Sequence, residues 1–236
     1  MTVARLDYPA EKLQPFGREK LLMECNNEIE KAMRVVACSK EPWTVAFIEG
    51  LAPGEVFWDI GACVGSYSLV AAARGLQVVA FEPVLENAAT LCRNLALNDL
   101  LSAVIVMPMG LGDGHGLIWQ HRSDMRSGAA SHAMTPNGRK RTHHQQLVAI
   151  WEGDVLASAM KMAVPHAIKI DVDGFEQQVL VGMQQLLMHA QLRTMLIELQ
   201  IKNDAAVLAW LKERSWGIVE KYEDRGGIYY ATFGRC

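Results

Sequence analysis

Two acids and two glycines at fixed spacing carry the first chemical signal in this chain. Val56-Phe57-Trp58-Asp59-Ile60-Gly61-Ala62-Cys63-Val64-Gly65 is an apolar run that ends in a carboxylate and passes into a Gly-x-x-x-Gly turn. A second apolar run, Gln77 to Phe81, delivers another acid in Phe81-Glu82-Pro83. Gly61 admits a backbone angle that a side chain forbids, and Gly65 lets a ligand or a helix approach closely. An acid beside such a turn repels a pyrophosphate but accepts a ligand with a cationic centre and an amino-acid moiety. A carboxylate at the tip of the next strand accepts both hydroxyls of a ribose. Asp59, Gly61, Gly65 and Glu82 together read as an S-adenosylmethionine pocket. The competing reading is an ordinary Rossmann-like turn whose acids cap helices, and Glu82 in register argues against it.

A second group of acids follows the run Ala167-Ile168-Lys169-Ile170-Asp171-Val172-Asp173-Gly174-Phe175-Glu176, and Met195-Leu196-Ile197-Glu198 repeats the pattern. These carboxylates are expected on the same sheet edge as Asp59. A methyl group carried on a sulfonium is already activated, so transfer requires in-line placement of an acceptor oxygen and a proton acceptor near it. Asp171 and Asp173 are the candidates for that work, with Glu198 a weaker one. For Glu176, capping of the following helix weighs equally. Paired acids also bind divalent cations, but no third ligand is evident, so no metal is assigned. Asp113, in the turn cluster Gly110-Leu111-Gly112-Asp113-Gly114, is placed either near the adenine end of the pocket or as a plain turn residue.

The elements that must hold these groups alternate. Strands are expected over Val56–Ile60, Gln77–Phe81, Val104–Met107, Ala167–Ile170 and Met195–Glu198, with helices after Gly65, from Leu85 to Asn98, and from Val179 to Leu187. Leu117–Trp119 reads as a short extra strand and Leu147–Ile150 as another, with Asp154 capping a helix Val155–Met160. A helix Asp204–Glu213 and strands Gly217–Lys221 and Ile228–Phe233, joined by Asp224-Arg225-Gly226-Gly227, end the chain as a hairpin. Residues 1–52 read as an N-terminal arm and helices packed on the main domain, residues 53–236. Met1–Gly17 is expected extended, Glu19–Val36 an amphipathic helix broken by Glu41-Pro42-Trp43, and Thr44–Leu51 a second one. His121–His144 is irregular and basic (Arg122, Arg126, Arg139, Lys140, Arg141), placed to cover the substrate site. Its four histidines lack a regular ligand spacing.

With 236 residues, half of them hydrophobic, the chain can bury one substantial α/β core. A net charge of −3 argues against a general nucleic-acid binder, and no apolar run is long enough to span a membrane. The five cysteines have no paired metal spacing and read as buried thiols of a reducing, cytoplasmic protein.

The blocks Val56 to Ser68, Phe81-Glu82-Pro83, Leu111-Gly112-Asp113, Ile168 to Glu176 and Ile197-Glu198 resemble, in this order, the FkbM family of S-adenosylmethionine-dependent methyltransferases. Cys63 stands where the family usually has Asn, Asp173 where it often has Glu, and Trp151-Glu152-Gly153-Asp154 where it usually has a Leu-Asp-Asp segment. The resemblance implies a class I methyltransferase fold: an open seven-stranded, mostly parallel sheet with one antiparallel strand and helices on both faces. It also implies O-methylation of a hydroxyl on a small molecule or sugar. The cofactor pocket then takes in Asp59, Gly61, Ala62, Gly65, Ser66, Tyr67, Glu82, Pro83, Gly112, Asp113 and Asp171. Two other functions compete. A nicotinamide oxidoreductase is opposed by the missing Gly-x-Gly and by Asp59; a non-catalytic S-adenosylmethionine binder is opposed by the retained acids. The acceptor and the oligomeric state are not legible.

Overall fold

A computed structural model describes residues 9–13, 21–122, 124–129, 133–135, 144–202, 204–223 and 226–236. The chain begins with strands β1 (Ala10–Lys12) and β2 (Leu22–Glu24), paired antiparallel. A π-helical turn (Glu30–Arg34) and helices α1 (Ala37–Lys40) and α2 (Pro42–Glu49) follow. The single amphipathic helix expected over Glu19–Val36 is therefore not formed. Asn94 and Asn98 explain why: Asn98 Oδ1 accepts from Leu22 N at 2.8 Å, and Asn94 Oδ1 accepts from Glu24 N at 2.6 Å. These tertiary partners hold the segment extended against its local periodicity. The side chain of Asn27 then accepts from Ile29 N and Glu30 N and starts the turn that carries Arg34.

The chain continues with β3 (Val56–Ile60), α3 (Ser66–Ala73), β4 (Gln77–Phe81), α4 (Leu85–Leu97) and β5 (Val104–Met107). Next come β6 (Gly110–Leu111), β7 (Gly116–Arg122), β8 (Ala133–Thr135) and β9 (His144–Trp151). The chain closes with α5 (Gly153–Ala159), β10 (Ala167–Ile170), α6 (Glu176–Val181), α7 (Gln184–Met188), β11 (Thr194–Gln200), α8 (Asp204–Lys212), β12 (Trp216–Glu223) and β13 (Ile228–Arg235).

Seven strands form one sheet in the order β12-β13-β11-β10-β3-β4-β5, and β13 alone runs opposite to the other six. This is the expected open α/β sheet. Strands β6-β9-β7-β8 form a second, four-stranded sheet inserted between β5 and β10, larger than the short extra strand read from Leu117–Trp119. Strands β7 and β8 carry regular structure into the stretch expected to be irregular; Arg139, Lys140 and Arg141 lie outside the described residues, as do Asp224, Arg225 and most of Met1–Gly17.

Because successive strand residues face opposite ways, each central strand feeds two cores. Trp58, Ile60, Val79, Phe81, Ile168 and Ile170 pack with Leu156, Val179, Leu180 and Leu187 on one face. Phe57, Val78, Ala80 and Ala167 pack with Ile48, Leu69, Val70, Leu91 and Leu95 on the other. The second helical run expected from Val179 to Leu187 is split at Gly182, where a Cβ would lie 1.8 Å from the carbonyl oxygen of Gly112. Asp154 does not cap its own helix α5. Its two oxygens accept from Gln185 N at 2.8 Å and Leu186 N at 2.9 Å, so it caps α7 instead.

Candidate active site

The strand order reverses between β3 and β10: the chain winds from β3 out to β5, then returns to β10 and winds the other way. A crevice opens at the carboxyl ends of two such strands, since their following connections depart in opposite directions. Here it is a cavity of about 660 Å³, mouth included. Its walls include Ile60, Gly61, Cys63, Phe81, Glu82 and Pro83 from the β3 and β4 tips, and Asp171, Val172, Asp173 and Phe175 from the β10 tip. Gly110, Leu111 and Gln120 from the inserted sheet, Asn87, Ala129 and Arg34 complete it.

Glu82 leaves the tip of β4 and is buried. Its Oε2 accepts from Cys63 N and its Oε1 from Val84 N, both at 2.8 Å, so two main-chain donors fix the carboxyl against the glycine turn. Burial pushes its pKa up to about 7, against those hydrogen bonds and the more distant Arg34 guanidinium. The Asn87 side chain donates to the carboxyl as well, which leaves about one of its four acceptor sites for a ligand hydroxyl.

Gly61 has φ +83° and touches the β10 side directly: a Cβ there would lie 1.8 Å from the carbonyl oxygen of Asp171. Gly65 has φ +89°, and a Cβ on it would meet Leu91 Cγ at 2.8 Å. The two glycines serve close packing of β3 on β10 and of α3 on α4. Ala62 is buried. Ser66 and Tyr67 are not among the cavity's walls and hold the N-terminal segment: Ser66 Oγ donates to Arg34 O and Tyr67 Oη to Ala37 O, each at 3.2 Å.

Asp59 lies behind the turn, on the α3 face of the sheet, and is not among the cavity's walls. Its register partner on β10 is Lys169, and Ser68 Oγ donates to its Oδ2 at 2.6 Å. Burial raises the Asp59 pKa, with the Lys169 ammonium and the Ser68 hydroxyl opposing. Gly112 packs against Phe175 and Ile150. Because Gly112 N donates to Trp151 O, continuing the β6–β9 pairing, Asp113 is carried out onto an exposed turn away from the cavity.

The β10 tip is a network of side chains. Lys169 Nζ, itself buried, donates to Asp171 Oδ2 at 2.8 Å. Tyr230 Oη lies 3.2 Å from Asp171 Oδ2 and 2.8 Å from Glu198 Oε2. Burial pushes Asp171 upward, but Lys169 outweighs it and holds the carboxyl below its ordinary range. Glu198 goes the other way: burial, then the Asp171 charge, raises it to about 9. At neutral pH Glu198 carries a proton. A hydroxyl donates only once, so Glu198 donating to Tyr230 and Tyr230 donating to Asp171 satisfies all three oxygens. Glu198 thus stands beside the site, bonded to Tyr230. Glu41, from the N-terminal segment, is raised by burial and by Asp171.

Asp173 and Gly174 both sit at positive φ, +57° and +99°, which turns the chain sharply after Asp171. Both carboxylates line the cavity: Asp171 is held by Lys169 and Tyr230, and Asp173 comes from the bend. Glu176 Oε1 accepts from Gly174 N at 2.9 Å and so closes that bend. Among the described residues, no group of three His, Cys, Asp or Glu is arranged to hold a metal ion. None of the helices among them is long and apolar enough to cross a membrane.

Arg34, Asn87, Gln120, Phe175, Lys169 and Tyr230 were not singled out from sequence. Lys169 and Phe175 stand in the quoted block Ile168 to Glu176; the others lie outside the quoted blocks and leave no local mark.

The sequence profile described as the methyltransferase FkbM domain matches residues 59–217. Over 134 residues the chain is 28% identical to the hexuronic acid methyltransferase AglP of Haloferax volcanii, covering 56% of this chain and 52% of that protein. The chain thus spans about half the length of that curated relative. Among solved structures, it superposes on magnesium protoporphyrin IX methyltransferase (ChlM) from Synechocystis PCC 6803 with TM-score 0.54 at 13% identity, covering 89% of this chain and 85% of that one. A ribosomal protein L11 methylase from Lactobacillus delbrueckii subsp. bulgaricus gives TM-score 0.51 at 14% identity, covering 84% and 78%. These likenesses show the fold, that of class I methyltransferases.

Proposed function

The chain belongs to the FkbM methyltransferase family, and from that premise we propose that it transfers a methyl group from S-adenosylmethionine to a hydroxyl of a sugar-derived acceptor. One observation carries this reading: Glu82 and Asp173 line the same cavity from opposite sides of the strand-order reversal. The relative that acts on a hexuronic acid supports the acceptor class. The residues present suit the cofactor. Glu82 offers a carboxylate to a ribose diol, and Phe81, Leu111 and Phe175 offer apolar surface to a purine.

S-adenosylmethionine supplies a methyl group already activated on sulfur, so this chain's task is positioning, charge and proton management. Asp171, held ionised by Lys169, sets a negative potential at the edge of the cavity that favours a cationic ligand. Asp173 is assigned to orient the acceptor hydroxyl and receive its proton as the oxygen becomes an ether. Residues 1–52 are proposed as an accessory segment on the 53–236 domain, since Arg34 lines the cavity.

The test is turnover with labelled S-adenosylmethionine against hexuronates and neutral hexoses, read as S-adenosylhomocysteine release and gain of one methyl. Asp173→Asn is expected to lose about 10²–10⁴-fold in rate while keeping its cofactor affinity. Full turnover in the folded variant removes Asp173 from the mechanism. Failure of the wild-type protein to bind S-adenosylhomocysteine in calorimetry overturns the reading as a whole.

A further inference from the structure

Among the described side chains lining the cavity, three are carboxylates, Glu82, Asp171 and Asp173, and one is a cation, Arg34. Arg34 comes from the π-helical turn of the N-terminal segment, far in sequence from every other wall. Its position is fixed from several sides. The main-chain oxygen accepts from Ser66 Oγ at 3.2 Å. Gly128, at φ +80°, lies so close that a Cβ there would meet Arg34 Cγ at 3.2 Å. Arg34 Nε donates to Gly128 O at 2.7 Å. Gly128 N in turn donates to Asn87 Oδ1 at 2.9 Å, which ties this clamp to the wall of the cavity.

The Nε bond uses one edge of the guanidinium. Among the described residues the terminal nitrogens make no ion pair and no hydrogen bond, although the group is held inside a lined cavity. A planar, permanently charged fork that is fixed at its stem and unpaired at its tip suits a two-point anionic partner, above all a carboxylate. The acids around it strengthen the argument. A carboxylate entering this cavity meets repulsion from Glu82, Asp171 and Asp173 and attraction at one point.

We propose that Arg34 is the carboxylate-recognition residue of this cavity. The proposal rests on the methyltransferase reading of the site, and that reading supplies two carboxylates. One belongs to the amino-acid moiety of S-adenosylmethionine; the other belongs to a hexuronate acceptor. Both present the same chemistry to the guanidinium.

Calorimetry on the whole chain separates these sources. The probes are S-adenosylhomocysteine, its analogue with the carboxylate replaced by hydrogen, and glucuronate against glucose in the presence of saturating S-adenosylhomocysteine. If the cofactor's carboxylate is bound, the wild type prefers S-adenosylhomocysteine over the analogue by on the order of 10- to 100-fold. Arg34→Gln then loses that preference, and Arg34→Lys, which keeps the charge without the fork, recovers part of it. If the acceptor's carboxylate is bound, cofactor affinity is the same in Arg34→Gln, but the wild type binds glucuronate over glucose and the variant does not. Either pattern supports the proposal.

Three results overturn it. A wild type that shows neither preference does so without any variant. A folded Arg34→Gln or Arg34→Lys that keeps every wild-type preference at full strength also does so. A wild type that binds no S-adenosylhomocysteine removes the methyltransferase reading and this proposal together, which distinguishes that failure from the other two.

Discussion

The two sides of the cavity are built on different physics. On the β4 side, Glu82 is held by main-chain donors, Cys63 N and Val84 N, and the neighbouring turn is fixed by Gly61 against the Asp171 carbonyl. On the β10 side, Lys169, Asp171, Tyr230 and Glu198 hold one another through side chains, with Asp59 and Glu41 contributing charge behind them. A backbone-held acid keeps its place when its neighbours change. A side-chain network is cooperative, so removing one member leaves the others buried and uncompensated. The β4 side should therefore respond to mutation by a local loss of affinity, and the β10 side by loss of stability or a change in protonation.

Lys169 gives the largest contrast. Its ammonium is buried and is drawn upward in pKa by Asp171, Asp59 and Glu41 despite the opposing cost of burial. Lys169→Met removes the buried ammonium of this cluster and is expected to cost about 3–5 kcal/mol of stability, since breaking a buried pair strands its partner. The sign with pH follows. Asp171 is depressed in the wild type, so its contribution is present above the unfolded carboxylate range and is lost as pH falls through its folded value. Without Lys169 both Asp171 and Asp59 are raised, and stability is recovered on acidification. Urea denaturation at about pH 8 and about pH 5.5 should show a deficit that shrinks at the lower pH. A constant deficit at both would mean that the lysine acts by packing alone.

Glu82 sharpens the other side. Its carboxyl titrates near pH 7 because burial outweighs the Cys63 and Val84 donors; Arg34, Cys63 and Asn87 are the further groups facing it. Ribose hydroxyls donate to the ionised form, so affinity for S-adenosylhomocysteine should climb from about pH 6 to about pH 8 and then level. Glu82→Gln should weaken binding by roughly 1.5–3 kcal/mol at the upper end and flatten the climb. Its melting temperature should change far less than that of Lys169→Met. Unchanged affinity in a folded variant takes Glu82 out of the pocket.

The same difference governs what the sequence discloses. Gly61 and Gly65 are each required by a backbone angle and a close contact, and such constraints leave a residue type at a fixed place. The alternation of Val56–Ile60 and Ala167–Ile170 between two cores is equally local, so the strands and their acidic tips are legible. Asp59 is legible as an acid near a strand end, yet its face of the sheet depends on the register with Lys169, which alternation alone does not reveal. Asp154 carries a helix-cap signature but caps α7, whose first turn lies about thirty residues further on. β2 defies its helical spacing because Asn94 and Asn98 bond its backbone. Arg34 and Tyr230 reach the site only through tertiary contacts, and no spacing marks them in advance.

Glu198 offers the smallest effect and the finest test of the network. Its folded pKa, about 9, lies far above the ordinary carboxylate value because it is buried beside Asp171. Through the interval between those values the folded state keeps a proton that the unfolded chain has released, so stability declines as pH rises. Glu198→Gln keeps a neutral group that can donate to Tyr230 but never ionises. It should alter stability by no more than about 1 kcal/mol at neutral pH, the value of one ordinary hydrogen bond. Its melting temperature should also fall less steeply than that of the wild type between about pH 6 and about pH 9. Turnover should be nearly unchanged, because a carboxyl that is already protonated does not accept the acceptor's proton. Should Glu198→Gln instead abolish turnover while leaving the pH slope of stability intact, Glu198 is ionised in the working enzyme. The base then lies on β11 rather than at the bend after β10.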